Sequence, residues 1–197
     1  MKYLNLFLFA ILVLSSCKND PISVKQITSK EMVTLENNYR NRSKVKDSFR
    51  ISIPIEFEII INSSKVKYIT WNFLVDNKIL DKDYYDYDVY LKGNKINPIY
   101  QFTPDFLSTN KHIAIIIKEN NYLISKAQVL ELLSKYKTKS LLDDLKFGKV
   151  IELTTFDKFR IDNKNLINEF RKVNDSIIFK VTRGEKYFFY LDKKIDW

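Results

Sequence analysis

Residues 49–61 read FRISIPIEFEIII. Ile51, Ile53, Ile55, Phe57, Ile59 and Ile61 alternate with Arg50, Ser52, Pro54, Glu56 and Glu58. A period of two puts one face of such a segment in a core and the other in water. Proline has no N–H for a sheet ladder, so Pro54 predicts an unpaired stretch and an edge strand. Asn62-Ser63-Ser64 follows as a tight turn, and Ile69, Trp71, Phe73 and Val75 then fall in phase. The two segments together read as an antiparallel hairpin that needs an opposing layer.

Further strands are expected outward from this hairpin. In YYDYDVYLK (84–92), Tyr85, Tyr87, Val89 and Leu91 alternate with Asp86, Asp88 and Tyr90. Gly93-Asn94 turns the chain, residues 95–103 pair back, and HIAIIIK (112–118) keeps Ile113, Ile115 and Ile117 in phase. Thr28-x-x-Glu31 has capping-box spacing, yet MVTL at 32–35 reads better as a first strand. Several strands at short spacing predict an antiparallel β-sandwich over residues 31–118. The period changes after residue 121. Ser125-Lys126-Ala127-Gln128 is a capping box, with Ile124 and Val129 spaced as a hydrophobic staple. Val129, Leu132, Leu133 and Tyr136 form a helical stripe. Ser140-x-x-Asp143 opens a second helix that Gly148 ends. Strand-like KVIELTTF, a short helix near Leu166–Lys172 and a hairpin over 176–191 complete a smaller α+β part at 119–197.

The chain has 197 residues, 45% of them hydrophobic and 29% charged, with one cysteine and one histidine. That inventory excludes a Cys/His zinc cluster, a CxxC redox pair and an intrachain disulfide. The formal charge is +9, carried by 27 Lys and 6 Arg. Readers of phosphates and bases favour the bidentate Arg fork. Lys, Ile, Asn, Phe and Tyr, whose codons are AT-rich, make up almost half the chain, so codon bias accounts for the basic balance. No nucleic-acid partner is expected.

At the amino terminus, Lys2 precedes an apolar run from Leu6 to Leu14 that is too short to span a bilayer, and Leu14-Ser15-Ser16-Cys17 closes it. This pattern resembles the signal peptide and lipobox of bacterial lipoproteins. The resemblance implies cleavage after Ser16, palmitate-type acylation of Cys17 and a membrane partner held through that anchor. Residues 1–16 are then the signal peptide and 17–30 a lipidated tether, and loss of Lys2 leaves the mature formal charge one lower, at +8. No Asp directly follows Cys17, which fits the outer membrane of a Gram-negative bacterium, and Lys18-Asn19-Asp20 is faintly similar to a surface-export tag. The body resembles an immunoglobulin-like module in architecture only, because the inter-sheet cysteines are missing, and that implies no activity.

Candidate chemistry is sparse. His112 has no nucleophile or acid partner in its vicinity of sequence and reads as a polar strand end. Asp81, Asp83, Asp86 and Asp88 are hard oxygen donors close enough in sequence to suggest calcium, but the EF-hand pattern fails at Tyr85 and Asp86. No metal or other cofactor is expected. Glu56 and Glu58 share a strand face at a spacing used by glycosidases, though the wet side of an edge strand also attracts charge. Tyr84 and Tyr90, beside Asp86 and Asp88, form an amphipathic patch suited to a glycan or protein partner. Asp175-Ser176-Ile177 resembles an O-glycosylation site of some Gram-negative phyla. The expected function is a non-catalytic binding module on a lipid-anchored envelope lipoprotein. An immunity-type lipoprotein and a carboxylate-dependent hydrolase are the alternatives.

Overall fold

The computed structural model describes residues 20–37, 48–76, 78–80, 87–94, 96–119, 122–146, 148–184 and 187–197. It is β-rich, with two antiparallel sheets, the first curled into a half-barrel. That first sheet contains β1 (Ile22–Ile27), β2 (Met32–Asn37), β3 (Ser48–Ile61), β6 (Tyr87–Leu91), β8 (His112–Glu119), β9 (Leu123–Ser125) and β10 (Ile151–Thr155). The second contains β4 (Val66–Val75), β5 (Lys78–Ile79), β7 (Gln101–Phe102), β11 (Asp175–Arg183) and β12 (Tyr187–Lys194).

β3 is the hub of the first sheet. β8 and β9 run along one side of it, and β1 and β2 share the other. The edge strand expected from Pro54 is therefore a central strand. Its backbone explains how. The N–H groups of Ile51 and Ile61 donate to Tyr122 and Lys111 on the β8–β9 side, while that of Asn62 donates to Pro21 on the β1 side. Even-numbered N–H groups thus point toward β1 and β2, as the missing one of Pro54 would. On that side β2 pairs only as far as Ser52 and β1 begins at Glu56. The proline occupies the seam between two partner strands, where no ladder bond is forfeited. The seam exists because residues 28–31 turn the chain there, with the Glu31 N–H donating to the Ser29 hydroxyl at 3.1 Å.

The expected hairpin of β3 with β4 is not formed. The turn at residues 62–65 carries the chain across to the second sheet, where β4 pairs with β11 in the register Ile69–Val181, Trp71–Phe179 and Phe73–Ile177. The odd face of β3 packs across the interior onto this sheet, and the Phe57 and Phe179 rings meet edge to face at 6.4 Å. Both apolar faces are satisfied by facing each other rather than by lying side by side. Residues 22–27, within the expected tether, also form a core strand: Ile22 and Val24 are buried against β3. Short alternation between polar neighbours concealed it.

The helices are α1 (Pro104–Thr109), α2 (Lys126–Lys135), α3 (Leu142–Lys146), α4 (Phe156–Asp162) and α5 (Lys164–Phe170). The capping box of α2 is as read: Ser125 Oγ accepts from the Gln128 N–H, and Gln128 Oε1 accepts from the Ser125 N–H at 2.8 Å. Ile124 and Val129 are both buried, completing the staple. Gly148, at φ +80°, ends α3. The change of period near Ser125 marks the start of α2, while both sheets draw strands from before and after residue 119. The carboxy-terminal Trp197 is buried against Phe170, and Gln26 of β1 exchanges hydrogen bonds with the Asp196 backbone.

The packing ranks two aromatic residues. Phe57 is fully buried between the sheets, whereas Trp71, expected in the centre of the core, is only partly buried beside Phe102. Phe57→Ala should therefore cost about 3–5 kcal/mol in urea unfolding and Trp71→Ala clearly less. The reverse order would refute this placement of the sheets. Ser125→Ala should cost about 1 kcal/mol through the lost cap.

Candidate binding surfaces

β6 alternates as its sequence requires. Tyr87 and Val89 face the core, where Tyr87 stacks on Phe73 at 4.4 Å, while Asp88 and Tyr90 face the opposite way. Their register partners on β8 are Lys118 and Ile116, and beyond these on β3 lie Pro54 and Glu56. The Lys118 ammonium sits 5.1 Å from the centre of the Tyr90 ring. Tyr90 is half-buried rather than fully exposed. Burial first, then the negative charges of Asp88 and Glu36, push its phenol up to about 12.

The same face continues across β3 and β2. Glu56, expected on a wet surface, is 1% exposed and pairs with Lys92 at 2.6 Å. The hydrogen bond to Glu56 holds the Lys92 ammonium above the usual lysine value. Arg50 pairs with Glu36 at 2.7 Å. Thr34 and Ser52 are register partners, and their buried hydroxyls, like Arg50 Nε, meet no hydrogen-bond partner among the described residues. A hollow of about 30 Å³ opens beside Thr34, lined also by Met32, Tyr90, Ile116, Lys118 and Glu152. That is space enough for water beside the Thr34 hydroxyl.

Charge matching decides what the face can do. Glu56 is paired with Lys92 and Glu36 with Arg50. Glu58, two residues from Glu56, is exposed and sits across from Lys25 and Ala114. The pair does not converge on a cavity. The groups this face presents outward include Asp88, Tyr90 and Lys118. His112 is exposed at the start of β8. Cys17, Asp81, Asp83, Tyr84 and Asp86 lie outside the described residues. Among the described residues, no three His, Cys, Asp or Glu side chains are placed to hold a metal ion. Ser176 lies within β11, between β4 and β12.

Further cavities lie elsewhere. One, about 740 Å³, separates α2 from α4 and α5. Lys135 bridges it to the Asp162 carbonyl at 2.6 Å and to Asn163 Oδ1 at 2.8 Å, and Asn163 donates to the Tyr136 hydroxyl. These bonds tie the helices together. A smaller one, about 210 Å³, lies among Tyr87, Glu119, Tyr122, Phe170, Asp175 and Trp197. Asp175 is 4% exposed and accepts from the Tyr87 hydroxyl at 2.6 Å. Burial pushes its carboxyl above the ordinary value of 3.8, against the opposing effect of that hydrogen bond.

One surface was not singled out from the sequence. At the end of the second sheet, Tyr187 is 77% and Phe188 52% exposed. They border a hollow of about 680 Å³ with Lys65, Lys67 and Arg183. The run of four aromatic residues at 187–190 was its signal. An alternating strand would have had polar residues among them, and only the edge position of β12 leaves so many rings outside.

The raised pKa of Asp175 has a definite sign in folding. The folded chain holds this proton more tightly than the unfolded one, so its contribution is complete below pH 3.8 and is lost as pH rises through the raised value. Asp175→Asn removes the titration. The melting temperature of the variant minus that of the wild type should become more favourable to the variant from about pH 4 to about pH 7. A difference that stays constant with pH would contradict a raised Asp175.

No protein family, curated protein or solved structure matches the chain.

Proposed function

We propose that the protein is a lipid-anchored lipoprotein of the Gram-negative outer membrane whose β-rich body is a non-catalytic binding module. The observation that carries this is Leu14-Ser15-Ser16-Cys17: the only cysteine of the chain stands where a lipobox requires a thiol, behind a charged start and a short apolar run. Only a thiol supplies the nucleophile for the diacylglycerol, and small residues at 15 and 16 fit a peptidase cleft. Two or more acyl chains, at about 0.8 kcal/mol per buried methylene, hold a protein stably. The strand β1, which begins only five residues after Cys17, supports a body held close to its anchor.

The polar face around Asp88, Tyr90 and Lys118 is the proposed contact for a protein or glycan. Its matched charges favour binding over the hydrolase reading, since Glu56 is buried and already paired. The Asp88 carboxylate accepts, the Lys118 ammonium donates and the Tyr90 ring supplies an apolar face to a polyhydroxylated or polar partner.

Metabolic labelling with a fatty-acid analogue should label the wild type and leave Cys17→Ala unlabelled; continued labelling of the variant would sink the anchor. Asp88→Ala combined with Tyr90→Ala should weaken cross-linking to envelope glycans or proteins while costing only about 1 kcal/mol of stability, the scale of the lost cation–π contact. Undiminished cross-linking by a folded double variant would remove this face from the proposal.

A further inference from the structure

The chain enters the body at one defined place. The Asn62 N–H donates to the Pro21 carbonyl at 2.9 Å, and Asn62 Nδ2 donates to the Asp20 carbonyl at 3.2 Å. Residues 20 and 21 are thereby held beside the turn that joins β3 to β4. Cys17 is three chain steps from Asp20, and a chain spans at most about 3.6 Å per step, so an anchor at Cys17 reaches no more than about 11 Å from Asp20. An acylated Cys17 would therefore bring the 62–65 turn against the bilayer.

That turn borders the aromatic and basic hollow. Ser64, Lys65 and Lys67 line it from one side and Arg183, Tyr187 and Phe188 from the other, with Arg183 in register with Val66. The Lys180 ammonium lies 4.4 Å from the centre of the Phe188 ring on the neighbouring strand. Exposed rings with an apolar body and a polar tip suit the boundary between headgroups and acyl chains, and lysine stems reach along apolar surface to place charge among the headgroups. Basic residues near an anionic leaflet contribute roughly 1 kcal/mol each. The opposite end of the second sheet, at Val75 and Asp175, is ten residues of β4 away, or about 30 Å at the strand rise.

We propose that this end of the body docks on the phospholipid surface, with anionic headgroups in the hollow lined by Lys65, Lys67 and Arg183 and the Tyr187 and Phe188 rings at the interface. The inference rests on the lipid anchor proposed above. Docking points the opposite end of the second sheet away from the membrane and holds the body in one orientation, which a free tether would not.

The test uses the full-length acylated chain in phosphatidylethanolamine–phosphatidylglycerol vesicles containing headgroup spin-labelled lipid. A polarity-sensitive fluorophore is placed through Tyr187→Cys or, at the far end, through Lys172→Cys. Both positions are exposed, so neither change should disturb folding. Quenching at position 187 should exceed that at 172 by at least about threefold, and Lys65→Glu with Lys67→Glu should reduce it toward the 172 level. Fatty-acid labelling and co-sedimentation are read on the same samples. Acylated, co-sedimenting protein with equal quenching at both positions would overturn docking and leave the anchor standing. Absence of acylation and co-sedimentation would overturn the anchor, and docking with it.

Discussion

The structure depends on β3 being paired on both sides through nearly its whole length. At an edge, a strand of fourteen residues would leave a long row of N–H and C=O groups unpaired, and here β3 gathers β1, β2, β8 and β9 around itself. One residue in the middle cannot donate. The fold accommodates Pro54 by letting β1 and β2 divide the side toward which its nitrogen points, and the division falls where the chain between them turns. A helix packed over one face would not have solved this, because the missing donor lies in the plane of the sheet.

Burying the odd face of β3 and the middle of its even face sets the terms for the polar side. Ser52 and Glu56 are drawn inside as the sheet curls, and a buried carboxylate is tolerated only when a cation and hydrogen bonds compensate for the lost water. Lys92 supplies this for Glu56, and Arg50 serves Glu36. The face is therefore locally neutral although the chain is basic, and its free positive charge is left to other surfaces. The end where the chain enters the body is one of them, with Lys65, Lys67 and Arg183 around exposed rings.

Much of the local structure was legible. The β2, β8 and β11–β12 segments and the capped start of α2 follow from periodicity and caps, which act within a few residues. The face of β6 that carries Asp88 and Tyr90 was legible too, because alternation alone separates it from Tyr87 and Val89. The burial of Glu56 was not, since the alternation that marks a wet face is the same whether or not a sheet curls over it. The pairing of β3 was misread for a related reason. A two-residue period states that a face is apolar, not whether its complement lies beside it in the same sheet or across from it in another.

By itself the sequence determined the periods of the strands, the α2 cap and the presence of one histidine and one cysteine at their positions. These are properties of neighbours along the chain, which covalent spacing settles. Only the tertiary structure decided that β3 and β4 part into facing sheets, that Pro54 lies in a seam, that Glu56 meets Lys92 and that Asn62 holds residues 20 and 21 beside an aromatic and basic surface. Those outcomes join residues far apart in sequence, and they are selected by the burial of two long apolar faces against each other, a free energy that belongs to the whole core and to no single segment.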